Sequence, residues 1–228
     1  MGEIPDIYLT SQLLADRSRI EILTSLMDNR FHTVHELAKA AKISDQTASY
    51  HLSKFLLVKW TESYRQGRYV YHRLINEEIG QLMEQLMNVS EKRATTSLHQ
   101  NQTYKRLKKA RTCYQHLAGN IGTFFFDFFL ESGILKKEAQ DFILTQLGVQ
   151  FFQQLGLDIA QIQMEKGTFI RPCMDWTERK FHLAGNLGKH FLFFLIGHGY
   201  LVHDIETRAL LISEEGEKFL KENFGKFE

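Results

Sequence analysis

Residues 116–135, HLAGNIGTFFFDFFLESGIL, align without a gap on residues 182–201, HLAGNLGKHFLFFLIGHGYL. A second matched pair follows, ILTQLGVQFF at 143–152 and LISEEGEKFL at 211–220, with two more residues in the second interval. Such self-similarity reads as two like units in tandem, which commonly pack on like units, either each other or those of a dimer partner. Each unit reads as an aromatic helix, a Gly-Ile-Leu or Gly-Tyr-Leu turn, a short strand and a closing helix. The units are expected over 111–158 and 171–225, packed about a pseudo-twofold axis. Most of the 18 phenylalanines lie after residue 120, so the interior there is expected to be aromatic.

Within the repeat, His116-Leu117-Ala118-Gly119-Asn120-Ile121-Gly122 reads as a turn of helix, continuing a helix that starts near Thr103 with Tyr104, Leu107, Ala110 and Tyr114 on one face. Two glycines one turn apart each cost a helix about 1 kcal/mol relative to alanine. Close approach of another backbone offsets that cost, so the two HLAGN helices are expected to cross at their glycines. His116 and Asn120 then share a face, mirrored by His182 and Asn186.

The first 110 residues differ in charge. They hold sixteen Lys and Arg against twelve Asp and Glu, a net of +4, whereas residues 111–228 carry a net of −3. A basic front suits contact with a polyanion. Thr33 with Glu36 forms a capping box at the start of a short helix, and Ser44 is a suitable N-cap for the next. In that second helix Ala48, Leu52, Phe55 and Leu56 recur at helical spacing and face inward. Gln46, Thr47, Ser49, Tyr50 and Lys54 point outward, offering the donors and acceptors that base edges and phosphates need. KWTESYRQGRYVYHRL then reads as a hairpin with Arg65-Gln66-Gly67-Arg68 at its tip. A hairpin placed here is a wing whose two arginines can reach phosphate. The bland alternative is a helical hairpin with a solvated basic loop.

As a set, LLADRSRIEILTSL, HELAKAAKISDQTASYHLSKF and the wing resemble the ArsR/SmtB-type winged-helix transcriptional regulators. Asp16-Arg17-Ser18-Arg19 stands where that family shows Asp-Pro-Thr-Arg, and Ser49-Tyr50-His51-Leu52 matches its Ser-x-His-Leu. The resemblance covers roughly residues 8–87. It implies sequence-specific binding to double-stranded DNA, a homodimer built on the first and last helices of the domain, and repression released by an effector. The stripe Ile75, Ile79, Leu82, Met83 and Leu86 permits such a dimer. The two metal sites best known in the family are missing. Val34-His35-Glu36-Leu37 replaces the Cys-x-Cys pair, and the dimer helix IGQLMEQLMNV has no histidine.

Together these readings give a mainly α fold with small β wings. Residues 1–90 are a winged helix-turn-helix for DNA binding and dimerisation. Residues 91–110 are a polar linker and the start of a connecting helix, and 111–228 are an effector or assembly domain of two tandem helix-strand repeats. The DNA-contacting candidates are Ser44, Gln46, Thr47, Ser49, Tyr50, Lys54, Arg65 and Arg68. Residues 98–111 hold five Lys and Arg and no acid, a further phosphate contact or a solvated face.

The two cysteines, Cys113 and Cys173, each precede a copy of the HLAGN motif. If the repeats pack symmetrically, Cys113, His116, Cys173 and His182 converge, with Asp175 nearby, as a set for zinc or another soft metal. A redox-active thiol pair, a purely structural turn, and an organic-effector pocket lined by Tyr114, His116, Asn120, Trp176, His182 and Asn186 stay open beside it. No cofactor is required for DNA binding itself. The chain lacks a P-loop, Gly-x-Ser-x-Gly and His-Glu-x-x-His, so catalysis is not expected. With two cysteines, no basic-apolar leader and no apolar run near the ~20 residues of a membrane span, a cytoplasmic protein is expected.

Overall fold

A computed structural model of the chain describes residues 4–92 and 94–225; Arg93, in the polar linker, lies outside the described residues. The chain forms two compact units, one ending at Leu86 and one beginning at Met87. None of the described helices is long and apolar enough to cross a membrane.

The first unit comprises α1 (Ile7–Leu14), α2 (Arg17–Leu26), β1 (His32–Thr33), α3 (Val34–Ala41), α4 (Asp45–Leu57), β2 (Thr61–Gln66), β3 (Tyr69–Leu74) and the start of α5 (Glu77–Val89). Its boundaries follow from local chemistry. Asp16 caps α2 by accepting from the Arg19 N–H, and Arg19 in turn donates to the carbonyls of Leu13 (2.8 Å) and Gln12 (2.7 Å), tying α1 to α2. The Thr33/Glu36 capping box opens α3, and Lys42 in the left-handed region (φ 55°) closes it. Ser44 accepts from the Thr47 N–H at the start of α4. Ile22, Leu23, Leu26, Leu37, Ala48, Leu52 and Phe55 form the buried centre. A three-stranded antiparallel sheet, β1-β3-β2, completes the winged helix, with Gln66 paired to Tyr69 across the turn.

The second unit runs α6 (Leu98–Lys109), β4 (Arg111–Cys113), β5 (His116–Ala118), α7 (Asn120–Glu131), β6 (Leu135–Glu138), β7 (Asp141–Leu144), α8 (Gln146–Gln154) and α9 (Ile159–Met164). It continues with β8 (Arg171–Met174), β9 (Phe181–Ala184), α10 (Gly185–Gly197), β10 (Leu201–His203), β11 (Leu210–Ile212) and α11 (Glu214–Phe224). Each of β4-β5, β6-β7, β8-β9 and β10-β11 is a two-stranded antiparallel hairpin. The succession hairpin, helix, hairpin, helix therefore occurs twice. Thr145 and Ser213 cap the closing helices α8 and α11 in the same way, each accepting from the N–H of a glycine three residues on.

The aromatic interior is a cluster of rings in edge-to-face contact. Phe125 meets Phe191 at 4.9 Å and 86°, Phe129 meets Phe152 at 5.3 Å and 65°, and Phe125 meets Phe224 at 4.8 Å and 78°. That geometry sets the positive edge of one ring on the negative face of the next.

The His-Leu-Ala of each HLAGN segment is not helical, which corrects the helix expected from Thr103 onward. The helix α6 begins at Leu98 and stops at Lys109, and His-Leu-Ala is a strand in both copies. The chain turns from strand to helix at Gly119 (φ 82°) and Gly185 (φ 80°), a conformation that a side chain makes strained. Gly122 and Gly188 follow one turn into α7 and α10. A Cβ on Gly122 would lie 2.8 Å from the Leu117 carbonyl carbon and closer still to its oxygen, and one on Gly188 stands 2.8 Å from that of Leu183. These glycines thus seat each helix on its own preceding strand, and the two helices do not cross at them. The expected His116–Asn120 face is lost for the same reason, since His116 is in β5 and Asn120 begins α7.

Candidate functional site

On α4 the polar row faces solvent. Gln46, Thr47, Ser49 and Tyr50 are exposed and Lys54 is half-buried, while Ala48, His51, Leu52 and Phe55 turn inward. Leu56, expected inside with them, is half-buried. Lys54 Nζ lies 4.5 Å from the Tyr50 ring centre, so the cation is held against the helix surface. Ser44 Oγ is engaged with Thr47, both as its hydroxyl partner (2.8 Å) and as the helix cap. Arg65 and Arg68 are exposed on the wing, and Arg68 donates to the Tyr69 hydroxyl. Asp16 and His51, one from each of the two short motifs quoted for the family resemblance, approach to 3.8 Å. They brace α2 against α4 and leave the outward face to the other residues.

In the second unit the cysteines and histidines meet. Cys113 and His116 are directly paired across the β4-β5 hairpin, and Cys173 and His182 across β8-β9. A hairpin, not a helical turn, brings each Cys beside its His. The two-residue connection after Cys113 places Tyr114 at φ 58°, and Tyr114 is buried. One candidate ligand atom from each of the four side chains lies within 4.8 Å of every other. The two sulfurs are 3.9 Å apart, beyond the ~2.05 Å of a disulfide. His116 Nδ1 and His182 Nε2 are 3.3 Å apart. Burial, reinforced by His182 and Arg171, holds His116 well below the usual imidazole range, so the ring is neutral and able to donate a lone pair to a metal.

Below this cluster Arg111 and Asp175 form an ion pair with no exposure of either side chain. Asp175 Oδ2 accepts from Arg111 Nη2 (3.0 Å) and the Gly119 N–H (2.6 Å). Its Oδ1 accepts from the Thr177 N–H (2.8 Å), the Thr177 hydroxyl (2.6 Å) and the Glu178 N–H (3.0 Å). Burial alone pushes the carboxyl up. Arg111 and these donors outweigh it and hold Asp175 far below the usual carboxylate range. His182 Nδ1 is buried without a hydrogen bond, with Asp175 Oδ2 3.7 Å away.

The other residues proposed for an organic effector have partners of their own. Trp176 stacks on the Arg111 guanidinium at 4.4 Å. Asn186 donates to the carbonyls of Glu165 and Lys166 at 3.3 Å each, and Asn120 opens α7. A cavity among the aromatic helices, lined by Ile121, Phe125, Leu195, Tyr200, Leu201 and Phe219, measures about 10 Å³, room for one water at most. None of the six proposed residues lines it.

Arg111, expected with the basic run 98–111 to contact phosphate or face solvent, is instead fully buried. Its signal was available: Arg-Thr-Cys at 111–113 and Arg-Pro-Cys at 171–173 extend the repeat upstream of both histidines.

Residues 16–56 match a family described as bacterial regulatory protein, arsR family. Over 213 residues the chain is 40% identical to the uncharacterised HTH-type transcriptional regulator YdfF of Bacillus subtilis, covering 93% of this chain and 94% of the relative. Over 72 residues it is 33% identical to the HTH-type transcriptional regulator KmtR of Mycobacterium tuberculosis, covering 32% of this chain and 55% of that one. Among solved structures, NolR from Sinorhizobium fredii aligns with a TM-score of 0.34 at 20% identity, over 39% of this chain and 96% of its own.

Proposed function

Because the chain belongs to the arsR family of bacterial HTH-type transcriptional regulators, we propose that it is a homodimeric repressor whose second unit takes up an effector that releases it from DNA. In this reading α4 enters the major groove. Gln46, Thr47, Ser49 and Tyr50 read base edges, with Ser44 setting the start of the helix. Lys54, Arg65 and Arg68 bind phosphate. The observation that carries the DNA half is the exposed polar face of α4, presented beside a wing with two exposed arginines. Two such helices in a dimer fit half-sites one helical turn apart.

We infer further that the second unit is a duplicated module. Supporting this are the twice-repeated order of hairpins and helices, the matched caps Thr145 and Ser213, and the reciprocal placement of the glycines. A Cβ on Gly122 stands 3.5 Å from His182 Cβ, and one on Gly188 stands 3.5 Å from His116 Cβ. The cavity of about 10 Å³ among the aromatic helices is too small for an organic effector, which favours the Cys/His cluster as its seat.

Binding to an operator selected from random DNA, followed across a salt series, tests the DNA half. Arg65→Ala with Arg68→Ala should weaken binding to all sequences alike and reduce the salt slope by about 1 per lost phosphate contact. An unchanged slope removes the wing from the interface.

A further inference from the structure

We propose that Cys113, His116, Cys173 and His182 form a closed tetrahedral site for one divalent ion of the zinc class, and that this ion is the effector. The second clause rests on the reading of the chain as an effector-controlled DNA-binding protein. The first stands on geometry alone.

Two of the six separations already match a coordination sphere, and all six lie within 4.8 Å. An ideal tetrahedron with bonds of about 2.3 Å to sulfur and about 2.05 Å to nitrogen has edges of about 3.8 Å between sulfurs and about 3.3 Å between nitrogens. The observed edges are 3.9 Å between the two Sγ atoms and 3.3 Å between His116 Nδ1 and His182 Nε2. The ligand set is thus Sγ of both cysteines, Nδ1 of His116 and Nε2 of His182.

Charge selects the class of ion. Two thiolates, two neutral imidazoles and a divalent cation sum to zero, which a site with three of its four ligand residues buried requires. A monovalent ion leaves a net negative charge there, and a hard cation such as magnesium prefers oxygen ligands that this set does not offer. All four positions are protein atoms, so no vertex is left for a substrate, as in a structural or sensory site.

The surroundings orient the ligands as well. Metal-bound histidines ordinarily give their second ring N–H to a carboxylate, and His182 Nδ1 faces Asp175 Oδ2 at 3.7 Å. Asp175 is held by Arg111 and by donors from Gly119, Thr177 and Glu178, so it is not itself a ligand, and its charge lies close enough to favour a proton on His182 Nδ1, leaving Nε2 for the ion. One hairpin supplies the first Cys-His pair and the other hairpin the second, so an ion ties β4-β5 to β8-β9. Arg111, two residues beyond α6 and two before Cys113, also donates to the Leu107 carbonyl of that helix at 3.2 Å. Capture of the ion therefore bears on α6, the first helix lying wholly in the second unit.

The test uses the full chain, stripped of metal under reductant and titrated with Co(II). The expected result is one Co(II) per chain, with the visible bands of a tetrahedral site and a thiolate-to-cobalt charge-transfer band, both abolished by one equivalent of Zn(II). Cys113→Ser and Cys173→Ser should each weaken the charge-transfer band, with far-UV circular dichroism confirming that the variants remain folded. Absence of the charge-transfer band in the unaltered chain overturns the site without recourse to any variant. In that case the cluster is a hydrogen-bonded packing contact. In parallel, saturating Zn(II) should lower affinity for the selected operator at least tenfold. A tetrahedral spectrum with unchanged operator affinity overturns the effector role and keeps the site. Failure of the metal-free chain to bind any DNA overturns the reading of the first unit, while the spectrum still decides the site.

Discussion

Arg111 and Asp175 are joined Nη2 to Oδ2 at 3.0 Å with both side chains wholly buried, although 64 residues separate them in sequence. Removing either charge strands the other, a loss of about 3–5 kcal/mol. The two losses should differ. Asp175 also accepts from the N–H groups of Gly119, Thr177 and Glu178, whereas Arg111→Met leaves those bonds in place. Urea denaturation is expected to rank Asp175→Ala as more destabilising than Arg111→Met. Equal midpoints would mean that the backbone donors find other partners.

Gly122→Ala and Gly188→Ala run against helix propensity. Alanine stabilises an exposed helix by about 1 kcal/mol over glycine. Here the added methyl would meet the carbonyl of Leu117 or Leu183, and such overpacking costs about 1–3 kcal/mol or more. Both variants should melt below the parent chain in a thermal scan followed by circular dichroism. A rise in midpoint would show that strand and helix can part without loss.

Gln46→Ala and Tyr50→Ala are expected to act unlike the wing arginines. Loss of a base contact costs about 1–3 kcal/mol at one operator position and relaxes preference there. The check is binding to a panel of single-base operator variants. A uniform loss across the panel would move these side chains from base reading to phosphate contact.

Asp28 makes the first unit sensitive to acid. Its carboxylate is buried, with His32 Nε2 at 2.9 Å and Arg30 Nε at 2.6 Å. Burial raises its pKa, but the His32 and Arg30 contacts more than cancel that, and the carboxyl ends below its ordinary value. A folded-state pKa below the unfolded value of ~3.9 adds stability above that pH, lost as pH falls through the folded value. Asp28→Asn should lower the melting temperature at neutral pH and flatten its decline below about pH 4. A parallel offset at every pH would exclude Asp28 as the titrating group.

The winged helix was legible because its signals are local. Thr33, Glu36 and Ser44 cap helices within three residues of themselves, and Gly67 marks its own turn. The Cys/His cluster was legible in membership but not in mechanism. The turn between Cys113 and His116 carries neither glycine nor asparagine; Tyr114 takes the left-handed conformation instead, held by burial. With no turn signal, the apolar spacing from Tyr104 to Ile121 ran on as one helix. Gly119 and Gly122 were recognised as sites of close approach, but Gly119 meets the end of α6 and Gly122 the preceding strand, which periodicity does not reveal. Arg111 was obscured by its basic neighbours, because charge alone does not distinguish a solvated residue from one with a buried counter-ion.

Each of the two hairpins offers one sulfur and one nitrogen from directly opposed strands. A single copy is only a bidentate chelate, able to complete a sphere by recruiting a second molecule and hence dependent on protein concentration. If the two hairpins take one ion as proposed, their presence in one polypeptide converts that encounter into an intramolecular closure. Ion capture in the fused chain should then be independent of how much protein is present, which lets a scarce regulator report on ion abundance alone.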